Sequence, residues 1–388
     1  MATSLSGVLA LAPALLSDDQ REIRELARRF ADAEIAPHAA AWDRGHIFPL
    51  DVVRRLGELG MLGLCLPERY GGAGTDYLSY ALVLEELSRA DAGIGVTVAV
   101  HLGAGTLPIV ANGTAEQIER LVPPLAAGRE LAAFCLTESE AGSDARALRT
   151  RSDGGDPPLI NGSKQWITNG SFADTFTVFA RDPQANDRPS AFIVRRGTPG
   201  FAVTREEEKM GLNSSSTADL SFDDVVAERL GDPGDGMRIA LSTLDGGRIG
   251  IAAQAVGIAQ AALDVAAAYA KERRTFGRAI GQHQAIAHRL ADMQTEIEAA
   301  RGLVWRAALL KDAGRPHTVE GAQAKLFASR VARHWTGEAI QILGGYGYTK
   351  EFPTERYYRD AKVTEIYEGT SEIQRLVIAR ALLGETAG

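Results

Sequence analysis

Near its end the chain reads Ile366-Tyr367-Glu368-Gly369-Thr370-Ser371-Glu372-Ile373-Gln374. A carboxylate stands beside an aromatic ring and a glycine, just ahead of an apolar helical pattern. Ser371 and Gln374 have the Ser-x-x-Gln spacing of a capping box, which predicts a helix starting there. Glu368 then falls in the loop entering that helix, where its side chain can project into a cleft. An acidic residue beside a positive helix terminus also has a purely structural use. A second segment, Phe134-Cys135-Leu136-Thr137-Glu138-Ser139-Glu140-Ala141-Gly142-Ser143-Asp144, reads as a strand running into a loop. Gly142 and Ser143 there offer backbone N–H groups and a hydroxyl to a phosphate or to the carbonyl edge of a ring; a plain polar turn fits as well. In Trp166-Ile167-Thr168 the indole and the hydroxyl share one face of a strand, so a flat ring could stack on one and bond to the other. Tryptophan in a sheet is equally at home in a core. Asn169-Gly170 after it predicts a hairpin turn.

Further along, Arg273-Arg274-Thr275-Phe276-Gly277 closes an alanine-rich helix, and His283-Gln284 follows a short loop. Basic residues suit a helix C-terminus, and such a cluster with Thr275 and Gln284 could also clamp a pyrophosphate. Gln341-Ile342-Leu343-Gly344-Gly345 ends another helix. Its glycines fit C-capping or the close approach of a flat ring. Of the seven histidines none forms an HExxH or other paired ligand spacing, so no metal site is expected. The chain has no GxSxG elbow and no GxGxxG after a strand, which argues against a hydrolase of that type and against a Rossmann cofactor site.

The elements that must position these residues fall into three blocks. Residues 1–130 read as helices. Ser17 and Gln20 form a capping box ahead of Ile23, Leu26, Ala27 and Phe30, and Pro37 is expected to help end that helix. Tyr77, Ala81, Leu84 and Leu87 mark one face of another, and Pro123-Pro124 with Gly128 mark a boundary. Residues 131–234 hold short β-branched and aromatic runs between turn clusters, which predicts a small antiparallel sheet domain, a barrel or sandwich. Residues 235–388 are helical again. Ile286, Leu290, Met293, Ile297, Ala300 and Val304 make one stripe, and Ala328, Val331, Trp335, Ala339 and Ile342 another. With the alanine-rich run from Ile249 to Ala270 and the helix after Glu368, these predict a four-helix bundle. The fold class is thus α+β, mainly α.

At 388 residues the chain can bury a large core. A net charge of −8 with both signs interspersed points away from nucleic acid and from a polybasic membrane patch. Cys65 and Cys135 match no zinc or redox spacing, which fits a reducing compartment. No Lys or Arg precedes Arg21, so the first residues lack the charged region of a leader. No run approaches the roughly 18 apolar residues of a membrane span. The expectation is a cytoplasmic protein.

Taken together and in order, these segments resemble the acyl-CoA dehydrogenase family of flavoenzymes, most closely its short-chain, butyryl-CoA type; residues 134–144 and 341–374 look like the family's two signature regions. The resemblance implies FAD as cofactor. Phe134, Leu136, Thr137, Gly142, Ser143, Trp166, Ile167 and Thr168 would hold the flavin ring, with Thr370 and Glu372 along it. Arg273, Thr275, Gln284, Gln341, Gly344 and Gly345 would reach the FAD of a neighbouring subunit, so a dimer is the minimum and a dimer of dimers, a homotetramer, is implied. The acyl-CoA substrate would meet Ser143, Asp245, Arg248, Tyr367 and Gly369, with Arg248 toward its adenosine or phosphate end. Glu368 would take the α-proton while the β-hydrogen leaves as hydride to the flavin, giving a trans-2-enoyl-CoA, and electrons would pass to an electron-transferring flavoprotein. An acyl-CoA oxidase and a non-catalytic flavin-binding protein of this fold are the alternatives. Some family members place their base one residue ahead of the arginine of an Asp-x-x-Arg segment; that position here is Gly247, which leaves Glu368 alone. Ser139-Glu140 replaces a common Pro-Gly. The peroxisomal tail and the basic C-terminal extension of other branches are missing.

Overall fold

The computed structural model describes residues 15–384, so the leader and tail readings above lie outside the described residues. Ser17 and Gln20 close a reciprocal capping box on α1 (Asp18–Phe30). Pro37 does not stop the chain from coiling. A π-helical segment, Ala31–Ile35, leads directly into α2 (Ala36–Gly45), with Pro37 in its first turn. The π-turn has already shifted the hydrogen-bond register there, so the missing N–H costs little.

The N-terminal block continues with α3 (Leu50–Glu58), α4 (Tyr77–Ala90), α5 (Ala92–Val98), a second π segment at Ala99–Thr106, α6 (Leu107–Asn112) and α7 (Ala115–Ala126). Pro123 and Pro124 lie inside α7 and do not mark its end. That helix gives up two backbone bonds near its terminus but still buries Leu121, Val122, Leu125 and Ala126.

The middle block is one sheet of β1 (Ala132–Cys135), β2 (Arg151–Ser152), β3 (Leu159–Thr168), β4 (Thr175–Asp182), β5 (Arg188–Arg195), β6 (Phe201–Glu206), β7 (Thr217–Val226) and β8 (Glu228–Leu230). Its order is β6-β7-β3-β2-β4-β5-β8, with β1 beside β4. Most pairings are antiparallel; β1–β4 and β2–β4 are parallel. Because β2 separates β3 from β4, Asn169-Gly170 is a turn but not a hairpin. The Asn169 amide instead donates to Thr97 O (3.1 Å) and Ala132 O (3.3 Å), tying the sheet to the N-terminal helices.

The last block holds α8 (Gly236–Glu272), the short ribbon β9 (Arg274–Thr275) and β10 (Arg278–Ala279), α9 (Gln284–Asp312), α10 (Thr318–Leu343), α11 (Gly345–Tyr348), α12 (Thr354–Val363) and α13 (Ser371–Leu383). Helix α10 packs on α8, α9, α12 and α13, while α4 crosses over to lie on α8 and α9. The stripes at Met293, Ile297, Ala300 and Val304 and at Ala328, Val331, Trp335, Ala339 and Ile342 are buried as their spacing requires. Two helical stretches are in fact long and apolar enough to cross a membrane, Ala92–Asn112 and Gly236–Glu272. Most of each is buried within the fold, so both serve as core helices here. Leu212 N donates to Asp360 at 2.7 Å and Ser214 bonds to Asp91, which docks the sheet domain's 209–216 loop onto both helical blocks.

Candidate active site

The loop between α12 and α13 carries Glu368. Thr370, not Ser371, is the N-cap of α13, accepting from Ile373 N at 3.3 Å. Gln374 does not complete a box with Ser371. Its amide turns back to Gly369 O (2.8 Å) and Glu368 O (3.4 Å). Glu368 and Gly369 are both left-handed, with φ of 54° and 88°, which for a glutamate costs on the order of 1 kcal/mol. Other contacts hold the loop against that cost. Lys325, buried on α10, donates to Thr364 O (2.9 Å) and Gly369 O (2.7 Å), and Ser329 Oγ donates to Thr364 O (2.8 Å).

Glu368 is half-buried as a residue, but its Oε2 is inside and has no hydrogen-bond partner. The carboxylate rests on α8 at Gly247. A Cβ there would sit 2.9 Å from Glu368 Cδ and closer still to Oε2, so a side chain at 247 and this placement of Glu368 exclude each other. Burial pushes the Glu368 carboxyl up to about 7, against the opposing pull of Lys325 and Arg248.

Arg248 is placed differently from the expectation. It is 4% exposed, bonds Asp245 at 2.5 Å, and lies close enough to Glu368 to lower the carboxyl's pKa. Its guanidinium is thus committed inside the protein, near Glu368. Asp245 is likewise engaged, by Arg248 and by Thr318 (2.7 Å). The Tyr367 hydroxyl donates to Gln254, whose amide donates to Ala92 O at 2.7 Å.

Two buried tyrosines of α4, Tyr77 and Tyr80, pack near Glu368. The Tyr80 hydroxyl donates to Ala99 O at 3.0 Å and lies 3.2 Å from where a Gly250 Cβ would stand. The Tyr77 hydroxyl is buried without a partner, 2.9 Å from the Cβ position of Gly246, the neighbour of the glycine under Glu368. Burial, with the Glu368 charge among the lesser causes, raises both phenols well above their ordinary range. Reading α4 as a one-faced helix missed Tyr80, because this helix is buried nearly all round.

The expected flavin segments form two separate groups. In the first, Gly142 and Ser143 are exposed, and nothing lies within 4 Å of a Cβ built on Gly142. Trp166 sits at φ 59° in a bulge of β3 and is 54% exposed, Thr168 is half-buried, and Thr137 is half-buried. Phe134 packs edge-on against Phe179 at 4.9 Å, while Leu136 and Ile167 are buried. Those side chains serve the core, so the backbone is what these residues have to offer a ring. In the second group Arg273, Thr275, Gly344 and Gly345 line one cavity of about 580 Å³, with Gln284 and Gln341 exposed at the ends of α9 and α10. The open backbone at Gly142, Gly344 and Gly345 and the exposed indole fit a flat, phosphate-bearing cofactor. Arg273 lies 26 residues beyond Gly247 on α8, about 39 Å along the helix axis, so one chain does not bring its own second group to Glu368. Thr370 is spent on its cap, and Glu372 is exposed in the first turn of α13. Among the described residues no group of His, Cys, Asp or Glu could hold a metal ion.

Comparison with known proteins agrees with this arrangement. Acyl-CoA dehydrogenase domains match the chain in succession: the N-terminal domain over 17–129, the middle domain over 133–225 and the C-terminal domain over 234–383. The chain belongs to the acyl-CoA dehydrogenase family, whose members are FAD enzymes. It is 47% identical to a short-chain specific acyl-CoA dehydrogenase of Clostridium acetobutylicum, over 94% of this chain and 98% of that one. Butyryl-CoA dehydrogenase of Megasphaera elsdenii superposes with a TM-score of 0.92 at 45% identity, covering 95% and 99% of the two chains. A chain from a structure described as the electron transferring flavoprotein of Acidaminococcus fermentans gives 0.94 at 47%, also covering 95% and 99%. The protein is an acyl-CoA dehydrogenase.

Proposed function

We propose that this enzyme dehydrogenates a short-chain acyl-CoA and that Glu368 is the base that removes the α-proton. The observation that carries this reading is the buried, unpartnered Oε2 of Glu368, seated on Gly247 with its carboxyl pushed up to about 7. A base at that pKa is about half ionised at neutral pH and basic enough to accept a proton from carbon. Arg248 and Lys325 oppose the cost of holding its charge inside the protein. As the proton leaves the α-carbon, charge builds on the thioester oxygen and needs donors already in place; the Glu368 backbone N–H is the donor this loop offers. FAD, when bound, supplies the acceptor for the β-hydride. Trp166, Thr168, Gly142 and Ser143 would hold its ring system.

Short chain length is supported by the buried Tyr77 and Tyr80, which fill the space against Gly103, Gly246 and Gly250 near Glu368. The separation of about 39 Å along α8 supports a second copy of the chain as the source of the Arg273, Thr275 and Gly344–Gly345 contacts, hence a dimer and a dimer of dimers. Similarity to the Acidaminococcus chain supports an electron-transferring flavoprotein as the electron acceptor.

Anaerobic mixing with butyryl-CoA tests the base. The wild type should bleach its flavin absorbance. Glu368→Gln should keep its FAD and bleach roughly 10²–10⁴-fold more slowly. Undiminished bleaching in that variant would remove the assignment.

A further inference from the structure

Lys325 is 1% exposed, on the same face of α10 as the apolar stripe through Ala328, Ala332 and Trp335. A lysine so placed must be satisfied inside the protein. Its nitrogen reaches two carbonyls, Thr364 O and Gly369 O, one at each end of the turn that carries Glu368. No carboxylate stands within ion-pair distance of it among the described residues. Burial pulls the Lys325 ammonium down to about 7; among the nearby charges Glu368 and Glu365 favour its cationic form and Arg248 opposes it. Neutral carbonyls satisfy an ammonium's donors but not its charge, so the remaining charge is answered mainly by the carboxylate of Glu368.

We propose that Lys325 is a positioning residue for the dehydrogenation: it pins the left-handed Glu368–Gly369 turn at both ends and keeps the base ionised inside the protein. The inference rests on the reading of Glu368 as base. Lys325 touches neither the reacting carbon nor the carboxylate itself. It acts through the loop backbone and through the field at Oε2. The groups facing Glu368 are Arg248 from α8, Lys325 from α10, Tyr77 and Tyr80 from α4 and Tyr367 from its own loop. Of these, Lys325 and Arg248 are the cations, and Arg248 already has Asp245 as a partner. Loss of Lys325 therefore removes the less compensated of the two positive charges.

The test is the pH profile of kcat/KM for the FAD-loaded enzyme in wild type, Lys325→Met and Lys325→Gln, with Glu368→Gln alongside. Both neutral variants should move the acidic limb to higher pH by about one unit, which from a pKa near 7 is about a fivefold loss at pH 7, with FAD content unchanged. A merely structural lysine would lower kcat without moving the limb, and an unmoved limb overturns the proposal. If the single variants do not fold, each is made in the Glu368→Gln background. Recovery of a folded flavoprotein there supports the charge link, and continued failure there contradicts it. Full activity in Glu368→Gln alone would refute the base assignment instead, so the two failures are told apart.

Discussion

Among the described residues Glu138 with Lys164 and Glu368 with the nearby Lys325 bring a glutamate and a buried lysine together in two different ways. Glu138, in the loop after β1, takes Lys164 directly at 2.7 Å and also accepts from Arg149 N (2.6 Å) and Thr150 N (3.0 Å). Burial pushes its carboxyl up, but Lys164 and these donors outweigh it, and the result lies below the ordinary range. Lys325 is as deeply buried as Lys164, but it bonds the carbonyls around Glu368 and leaves the carboxylate free. Burial then prevails, and the Glu368 carboxyl rises to about 7. A carboxylate whose lone pairs are all engaged is a fixed strut. One that keeps its charge at a distance from its counter-charge is available to take a proton. Glu138 holds the 134–144 loop in shape, and Glu368 keeps the free carboxylate that the proposed chemistry needs.

The largest expected effect that would break this contrast is at the strut. Lys164→Met leaves Glu138 buried without its cation and should cost about 3–5 kcal/mol of stability, read by denaturant unfolding at pH 7. A loss below about 1 kcal/mol would mean the pair is not the tie it appears in geometry. A smaller effect sharpens the other side. Tyr80→Ala should open the space between Gly103 and Gly250 and raise the kcat/KM ratio of octanoyl-CoA to butyryl-CoA about tenfold or more, the scale of a few added methylene contacts. An unchanged ratio would move the chain-length determinant elsewhere.

Much of the site was legible in the sequence because its parts are contiguous. Glu368 with its glycine, the Gly142-Ser143 loop, Trp166-Thr168 and the empty side-chain position at Gly247 all stand out as types and spacings. What was not legible depends on the third dimension. The cap falls on Thr370 because Gln374 is drawn back to the loop carbonyls. Pro37 is accommodated in the first turn of α2 after the π segment, and Pro123 and Pro124 are absorbed into α7 because packing outweighs the lost bonds. Arg248, given by the resemblance to the adenosine or phosphate end of the substrate, is buried on α8 near Glu368. Lys325 did leave a trace: it stands three residues before Ala328, on the apolar stripe itself, and a lone cation in such a stripe needs an internal partner.

The central claim is that an unpartnered, buried Glu368 is the proton acceptor. Its most direct measurement is the pH dependence of kcat/KM with butyryl-CoA, which reports the free enzyme's essential base. Because Glu368 must be ionised to act and its pKa is raised, activity should climb with pH through an apparent pKa near 7 and then level off. A limb in the ordinary glutamate range, around 4.3, with a flat profile above it, would contradict the account.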